Sequence, residues 1–363
     1  MIRRIPGLLV LAAAVLLLVA PSIAPAHERR GSVAAAEVSE PCPPDSYYPN
    51  AEPIEPDRVI TGEFAAEREG SFVFLPFRVP QGQTALRVRY CFDQPELVPE
   101  SAPGGHTLDL GLYEPRADRS GPWGVREFRG WGGSSHRDVT LSPQGYSSEM
   151  EYRDQEWVPG RTTRAFEPGP IRQGRWAVEL GLASIASRDQ GDADGRVAYR
   201  VEIDWQDDPS FAADPYEPAP YDRRPAVDRP GWYAGDFHVH GEHSALGDAA
   251  MSEVFDYAFG SLEEGKAGLD FITLSDYVSG ASWDEVGRYQ EDYPDNLIIR
   301  SAEVITYRGH ASSHANTGVV DYRTGPLYVR RPDGLDRLRD ARPASAILDR
   351  IHRAGGFTQI NHP

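Results

Sequence analysis

Histidines concentrate in the last third of this 363-residue chain, where seven of the ten lie between residues 238 and 362. Asp236, His238 and His240 alternate along a run that we predict to be a strand, so their side chains face the same side. Two neutral imidazoles about 7 Å apart at their Cα atoms can bind one metal ion. His243 follows where we expect the chain to turn, close enough to reach the same or a neighbouring ion. A His-x-His pair alone is also typical of a polar strand end, so the prediction needs further ligands.

Polar side chains of the same chemistry follow three later runs of strand-forming residues. They are Asp276 with Tyr277, Glu303 with His310 and His314, and His362. Parallel strands bring their carboxyl ends to one edge, where the active groups of such folds lie. One carboxylate among several imidazoles suits Zn, Mn or Fe, and a glutamate can bridge two ions. The sequence therefore predicts a polynuclear metal site at this edge.

The elements that must position these groups alternate between strand and helix patterns in residues 231–363. The expected strands are Gly235–His240, Leu269–Leu274, Asn296–Ile305 and Phe357–Ile360, and the expected helices are Ala249–Lys266 and Ala344–Arg353. Alternating β and α units predict a parallel sheet or barrel.

The preceding part of the chain has a different pattern. Short strands at regular spacing predict a β-sandwich over residues 58–205, after a flexible lead-in at 27–57 and before a proline-rich linker at 206–230. Within it, Ser71–Val79 and Ala85–Tyr90 are expected to pair, and Gly130–Gly133 to form a turn. Such a domain can be a binding module, although its sequence does not indicate a ligand.

Residues 1–26 have the pattern of a secretory signal: two arginines, an apolar run too short to span a bilayer, and Ala24-Pro25-Ala26. We therefore expect a secreted protein, extracellular or periplasmic, with no membrane span after cleavage. Cys42 and Cys91 would enter an oxidising compartment, where one disulfide is the simplest outcome and two separate buried thiols the alternative. The formal net charge of −18 argues against nucleic acid or an anionic membrane as a general partner.

The run Asp236–Ser244, with the sequence DFHVHGEHS, resembles the opening motif of the polymerase and histidinol phosphatase (PHP) superfamily. The chain also resembles the later motifs of the superfamily, in order, at Gly268–Asp276, Glu303–Thr306, Gly309-His310 and Asn361-His362-Pro363. Gly231–Gly235 and the β domain before it resemble the carbaryl-hydrolase-like branch. The resemblance implies a distorted (β/α)7 barrel and a hydrolase with two or three divalent ions that acts mostly on phosphate esters. The fold class expected overall is a multidomain β plus α/β protein, in which a β-sandwich precedes a partial PHP barrel.

The resemblance also implies which residues bind the ions. His238 and His240 would hold one ion, Glu303 would bridge to a second ion completed by His362 and either His310 or His314, and His243 would belong to a third.

Two departures from the superfamily pattern change these expectations. The second motif ends in Asp276-Tyr277 where the superfamily has Asp-His. A phenol is a poor ligand for these ions, so a dinuclear centre is favoured and Asp276 is expected to orient a histidine. The sequence also stops at Pro363, before the further strands and the late Asp-x-His motif of the superfamily. We therefore expect a fragment of a longer protein, with an open barrel and an incomplete site.

The function expected from these features is metal-dependent hydrolysis of a small phosphate ester by a metal-bound hydroxide. Arg308 could hold the phosphate or be a solvated loop arginine, and Tyr277 could donate a hydrogen bond to the leaving group or simply pack at the strand end. Two alternatives stay open: hydrolysis of carbamate, ester or amide bonds, and a non-catalytic binding protein with a degenerate barrel.

Overall fold

The computed structural model describes residues 38–95, 105–116, 123–219, 221–222, 226–245, 247–315 and 317–362. The predicted signal peptide and the first residues of the lead-in lie outside these ranges. The described chain is mostly β-sheet, with fifteen strands and four short α-helices. Of the helices in these ranges, none combines the length and the apolar character that a membrane crossing requires.

Eight strands and one helix form the first part of the chain. They are β1 (Arg58–Ala65), β2 (Phe72–Val79), β3 (Ala85–Phe92), β4 (Thr107–Tyr113), β5 (Phe128–Gly133), β6 (Asp138–Leu141), α1 (Glu149–Arg153), β7 (Gly174–Ser184) and β8 (Arg196–Gln206). The second part contributes β9 (Gly235–Val239), α2 (Met251–Phe259), β10 (Phe271–Leu274), α3 (Val286–Asp292), β11 (Leu297–Thr306), β12 (Gly309–His314), β13 (Gly325–Arg330), β14 (Asp336–Arg342), α4 (Ala344–Arg353) and β15 (Phe357–Asn361).

Two sheets enclose the first apolar core. One has the order β1-β8-β3-β6 and is antiparallel, and the other has the order β14-β13-β2-β7-β4-β5. Val73 and Leu75 of β2 and Val88 of β3 are fully buried in the shared core between them. Burial of alternate side chains on facing sheets is what holds such a sandwich together.

The expected pairing of the first two strands is wrong, because β2 and β3 belong to different sheets. The segment Pro80–Thr84 between them crosses from one sheet to the other, and both strands keep an apolar side toward the same core. The turn expected at Gly130–Gly133 is also wrong, because these residues are part of β5. A Cβ at Gly130 would lie 2.4 Å from the Cα of Phe166, so glycine there permits a close backbone approach.

The hairpin β13–β14 was not expected from the sequence. It lies in the part of the chain assigned to the second domain, yet β13 pairs in parallel with β2, with Leu327 opposite Phe72. A second apolar cluster contains Phe72 and Phe74 of β2 together with Val304 of β11 and Ile351 of α4. The two parts of the chain therefore share a sheet and a core.

The third sheet has the order β15-β12-β11-β10-β9. Strands β9, β10 and β11 are parallel, whereas β12 is antiparallel to both β11 and β15. Consequently β15 runs in the same direction as β9 to β11. The edge where the carboxyl ends of these four strands meet also carries the first residues of β12. Met251 and Phe255 of α2 and Val286 of α3 pack against Ile272 and Ile298 of the sheet.

This sheet is mixed and open, and the described strands do not form a clear (β/α)7 barrel. Helix α2 is shorter than the expected Ala249–Lys266 and ends before Gly260, whereas α4 covers the expected Ala344–Arg353.

Cys42 and Cys91 form a disulfide, which confirms the simpler of the two expectations.

Candidate metal centre

The carboxylate of Glu303 is the centre of a cluster at the edge of the third sheet. Glu303 lies on β11 and is 0% exposed. Its Oε2 atom lies 3.2 Å from Nε2 of His238 and 3.1 Å from Nε2 of His240. The two Nε2 atoms are 2.9 Å apart. The end of β9 thus directs two imidazoles to one oxygen of the glutamate.

The other oxygen of Glu303 faces a second pair of imidazoles. Oε1 lies 3.2 Å from Nδ1 of His310 and 3.1 Å from Nε2 of His362. The side-chain amide of Asn361 donates to the same oxygen at 3.0 Å. These residues come from the start of β12 and the end of β15, which pair in register with His310 opposite Asn361.

The donor set fits two divalent ions that share a carboxylate. Tetrahedral ligands at about 2.0–2.1 Å from zinc are separated from one another by about 3.3 Å. The four distances from imidazole nitrogen to Glu303 oxygen, 3.1–3.2 Å, and the 2.9 Å between Nε2 of His238 and of His240 are close to this value. One ligand atom each from His238, Glu303 and His362 also lies within 4.8 Å of the other two. Nε2 of His238 and Nε2 of His240 are close enough to share one proton, and a cation that replaces this proton would be bound by both lone pairs.

Glu303 is ionised in this environment. Burial raises its pKa, but hydrogen bonds from His240, His310 and Asn361 outweigh burial and hold the pKa well below the usual range. An anionic carboxylate among four imidazoles is the charge arrangement that binds a cation.

Ser244 orients one of these histidines. Its Oγ atom lies 2.8 Å from Nδ1 of His240 and accepts a hydrogen bond from the backbone N–H of Tyr277 at 3.3 Å. If a metal ion replaces the Nε2 proton that His240 otherwise donates to Glu303, Nδ1 carries the proton of the ring and donates it to this hydroxyl. Such hydrogen bonds fix the tautomer of metal-binding histidines.

The direction of β12 separates His310 from His314. His310 is near the start of this antiparallel strand, beside Glu303, and His314 lies about 14 Å further along it. Nδ1 of His314 bonds the hydroxyl of Ser301 at 2.9 Å, and its ring packs on Phe357. Burial, with a contribution from His238, lowers the pKa of His314 to about 4. Of the two alternatives, the structure brings His310 to the cluster.

His243 lies in a different cluster. Its Nε2 atom is 2.8 Å from Oε2 of Glu285, and its Nδ1 atom accepts from the backbone N–H of Ala165 at 3.3 Å. Glu242 and Glu285 provide the other possible ligand atoms there. The structure does not bring His243 to Glu303.

The remaining residues singled out in the sequence have different positions. Asp276 is fully buried and accepts from the backbone N–H of Gly241 at 2.7 Å, so it fixes the chain beside His240 and not a histidine ring. The ring of Tyr277 lies 4.6 Å from that of His240, between centroids. Burial and then Glu303 raise the pKa of Tyr277. Arg308 is exposed in the turn between β11 and β12.

A contact with the first part of the chain holds this turn. The hydroxyl of Tyr307 donates to Oδ2 of Asp109 on β4 at 2.9 Å, and its ring stacks on Phe72 at 5.1 Å. Burial raises the pKa of Asp109 to about 7, against a lowering by the Tyr307 hydrogen bond. Residues 198 positions apart meet here, so no local sequence signal could have indicated the contact.

Comparisons with known proteins identify no relative of this chain. No protein-family model, no curated protein and no solved structure matches the chain. The interpretation of the cluster therefore depends on its own residues and their geometry.

Proposed function

We propose that this protein is a metal-dependent hydrolase with a dinuclear centre on a partial, distorted PHP-type (β/α)7 barrel. The observation that carries the proposal is the position of Glu303, whose two carboxylate oxygens each face a separate pair of imidazoles. His238 and His240 would hold one ion and His310 and His362 the other. Zn, Mn and Fe are the metals that this nitrogen and oxygen donor set suits.

Two divalent ions at such a centre acidify water and stabilise the negative charge that develops during hydrolysis. The protein residues position them: Ser244 orients His240, and Asn361 orients Glu303. The side chains of His310 and His362 are 31% and 60% exposed, and we place the substrate on this side of the centre.

Phosphoesters are the favoured substrate class in this proposal. Tyr277 stands beside His240 with a raised pKa, so its phenol stays protonated and can donate a hydrogen bond to a leaving-group oxygen. Arg308 is exposed in the turn two residues before His310, where it forms no ion pair with another described residue, so its guanidinium is available to an anionic substrate. An exported protein of this kind would act on small extracellular or periplasmic phosphate esters.

The test is an assay of the purified protein with p-nitrophenyl phosphate and 1-naphthyl methylcarbamate, each with added Mn or Zn. We expect phosphate release, and His240→Ala should abolish it. His352→Ala is the matched control, because His352 is exposed on α4, where its ring lies 3.4 Å from the hydroxyl of Thr358 and, among the described residues, does not contact the Glu303 cluster. Hydrolysis of the carbamate alone would change the substrate class, and full activity in His240→Ala would refute the site.

A further inference from the structure

A buried cluster lies beside the proposed metal centre, around the next residues of the same motif. Glu242, His243 and Glu285 are buried, and one ligand atom from each lies within 4.8 Å of the others. By the resemblance, His243 would bind a third ion. A guanidinium already occupies this cluster. Nη1 of Arg164 bonds Oε1 of Glu242 and lies 3.5 Å from Oε2 of Glu285.

Arg164 belongs to the first part of the chain, and its side chain reaches the cluster. Arg164 lies in the connection between β6 and β7, and its side chain is 3% exposed. Nη2 donates to the backbone oxygen of Ser147 at 2.7 Å. The rings of Tyr146 and Tyr152 lie 5.4 Å and 4.8 Å from the guanidinium carbon. Hydrogen bonds, ion pairs and aromatic rings thus hold the guanidinium at one position.

The backbone next to Arg164 is held in an unusual conformation. Ala165 has a φ of 73°, in the left-handed region that alanine rarely adopts, and it is completely buried. A Cβ at Gly130 would lie 2.5 Å from the backbone oxygen of Ala165, so β5 leaves space for this loop only because residue 130 is glycine. Strained backbone of this kind persists where the surrounding structure imposes it.

The same loop also engages His243. Because Nδ1 of His243 accepts from the N–H of Ala165, the imidazole proton is on Nε2, which donates to Glu285. Neither ring nitrogen then offers a lone pair to a metal ion. A divalent ion bound here would also lie beside the positive charge of Arg164. The repulsion between the two cations is strong in a buried site. The residues present therefore do not fit a third metal ion.

We infer that the guanidinium of Arg164 takes the place of a metal ion in the cluster of Glu242, His243 and Glu285. The cluster is a cation position that the protein fills with its own side chain. The arginine also connects the loop before β7 to the segment that carries His240. The inference is independent of the proposed hydrolase activity, since it concerns only which cation balances these carboxylates.

The first test measures metal content by elemental analysis after incubation with Zn or Mn. We expect Glu242→Gln and His243→Ala to contain as many ions per chain as the wild type. His240→Ala, at the separate Glu303 centre, should contain fewer. Loss of one ion per chain in Glu242→Gln or His243→Ala would overturn the inference. Each result is a difference between variants, so it can be interpreted even if the Glu303 centre proves to bind no metal.

The second test removes the guanidinium. Arg164→Ala leaves buried Glu242 without its guanidinium partner and leaves Glu285 with Arg288, whose Nη1 lies 3.3 Å from Oε1 of Glu285, so millimolar Mn²⁺ should raise the melting temperature of this variant by several degrees more than that of the wild type. Arg164→Lys, which keeps a charge, should respond as the wild type does. Equal shifts in all three proteins would contradict the inference. If Arg164→Ala does not fold, the metal contents of Glu242→Gln and His243→Ala still decide the matter.

Discussion

Replacing Gly181 with alanine should disturb the turn that connects the two halves of the Glu303 cluster. Gly181 is on β7, and a Cβ there would lie 1.9 Å from the hydroxyl oxygen of Tyr307. Ordinary C···O contacts are about 3.3 Å or longer, so the hydroxyl or the strand must move by about 1.4 Å. The ring cannot simply rotate away, because it stacks on Phe72 and its hydroxyl donates to buried Asp109.

The expected cost has two parts. Overpacking of a filled core costs about 1–3 kcal/mol. Loss of the hydrogen bond to Asp109 leaves a buried carboxyl group unpaired, at about 1–3 kcal/mol. Gly181→Ala should therefore lower the free energy of unfolding by about 2–6 kcal/mol, as measured by urea titration. Because Glu303 and His310 flank the Tyr307 turn on β11 and β12, affinity for Zn should also fall, by about 10–100-fold.

A double-mutant cycle identifies the contact responsible. Without the hydroxyl, the nearest atom of residue 307 to the new Cβ is Cζ at 3.1 Å, which is tight but tolerable. Tyr307→Phe should therefore destabilise the wild type yet stabilise Gly181→Ala. Gly318→Ala is the matched control, because nothing lies within 4 Å of its Cβ position. Additive effects within about 0.5 kcal/mol, or a Gly181→Ala protein as stable as the wild type, would refute the reasoning.

Other parts of the molecule give further predictions. Arg323→Met should cost about 3–5 kcal/mol in urea titration, because it removes the cation of a buried ion pair with Asp321, 2.8 Å away. Burial raises the pKa of Asp321, but Arg323 and then Arg342 hold it well below the usual range. The stabilisation this pair gives is therefore complete above about pH 4 and lost as the pH falls further, and Asp321→Asn should flatten that acid limb. His310→Ala should lose bound Zn, whereas His314→Ala should keep it; the opposite result would exchange their roles. Reduction of the disulfide, at a sequence separation of 49, should lower the free energy of unfolding by about 4 kcal/mol.

Local patterns in the sequence were sufficient for part of the site. Alternation placed His238 and His240 on one strand end, and the structure has both imidazoles at the same oxygen of Glu303. The amphipathic run Ala344–Arg353 is helix α4 with those bounds. Periodicity reports which side of an element is buried, so it succeeds where burial alone decides.

Local sequence patterns do not indicate which strands pair or in which direction each strand runs. The runs that became β2 and β3 alternate as a hairpin would, yet they face each other from two sheets. The choice between His310 and His314 depended on β12 running antiparallel to its neighbours. Both features are set by contacts between distant parts of the chain, which a single sequence does not display.

Arg164, at the cluster of Glu242, His243 and Glu285, shows the same limit of local sequence patterns. It is 78 residues from Glu242 in the sequence and has no motif of its own. Glu285 likewise precedes α3, in a segment for which no chemistry was expected. A metal-binding pattern in the sequence therefore indicated where a cation lies, but not that an arginine from another part of the chain is that cation.

The most direct measurement is the metal content of the wild-type protein and of Glu303→Gln after incubation with Zn or Mn and removal of unbound ions. If Glu303 bridges two ions, elemental analysis should find two ions per wild-type chain. Glu303→Gln should lose both, because one carboxylate serves both pairs of imidazoles. Fewer than one ion per wild-type chain, or a Glu303→Gln protein with the wild-type content, would contradict the dinuclear centre.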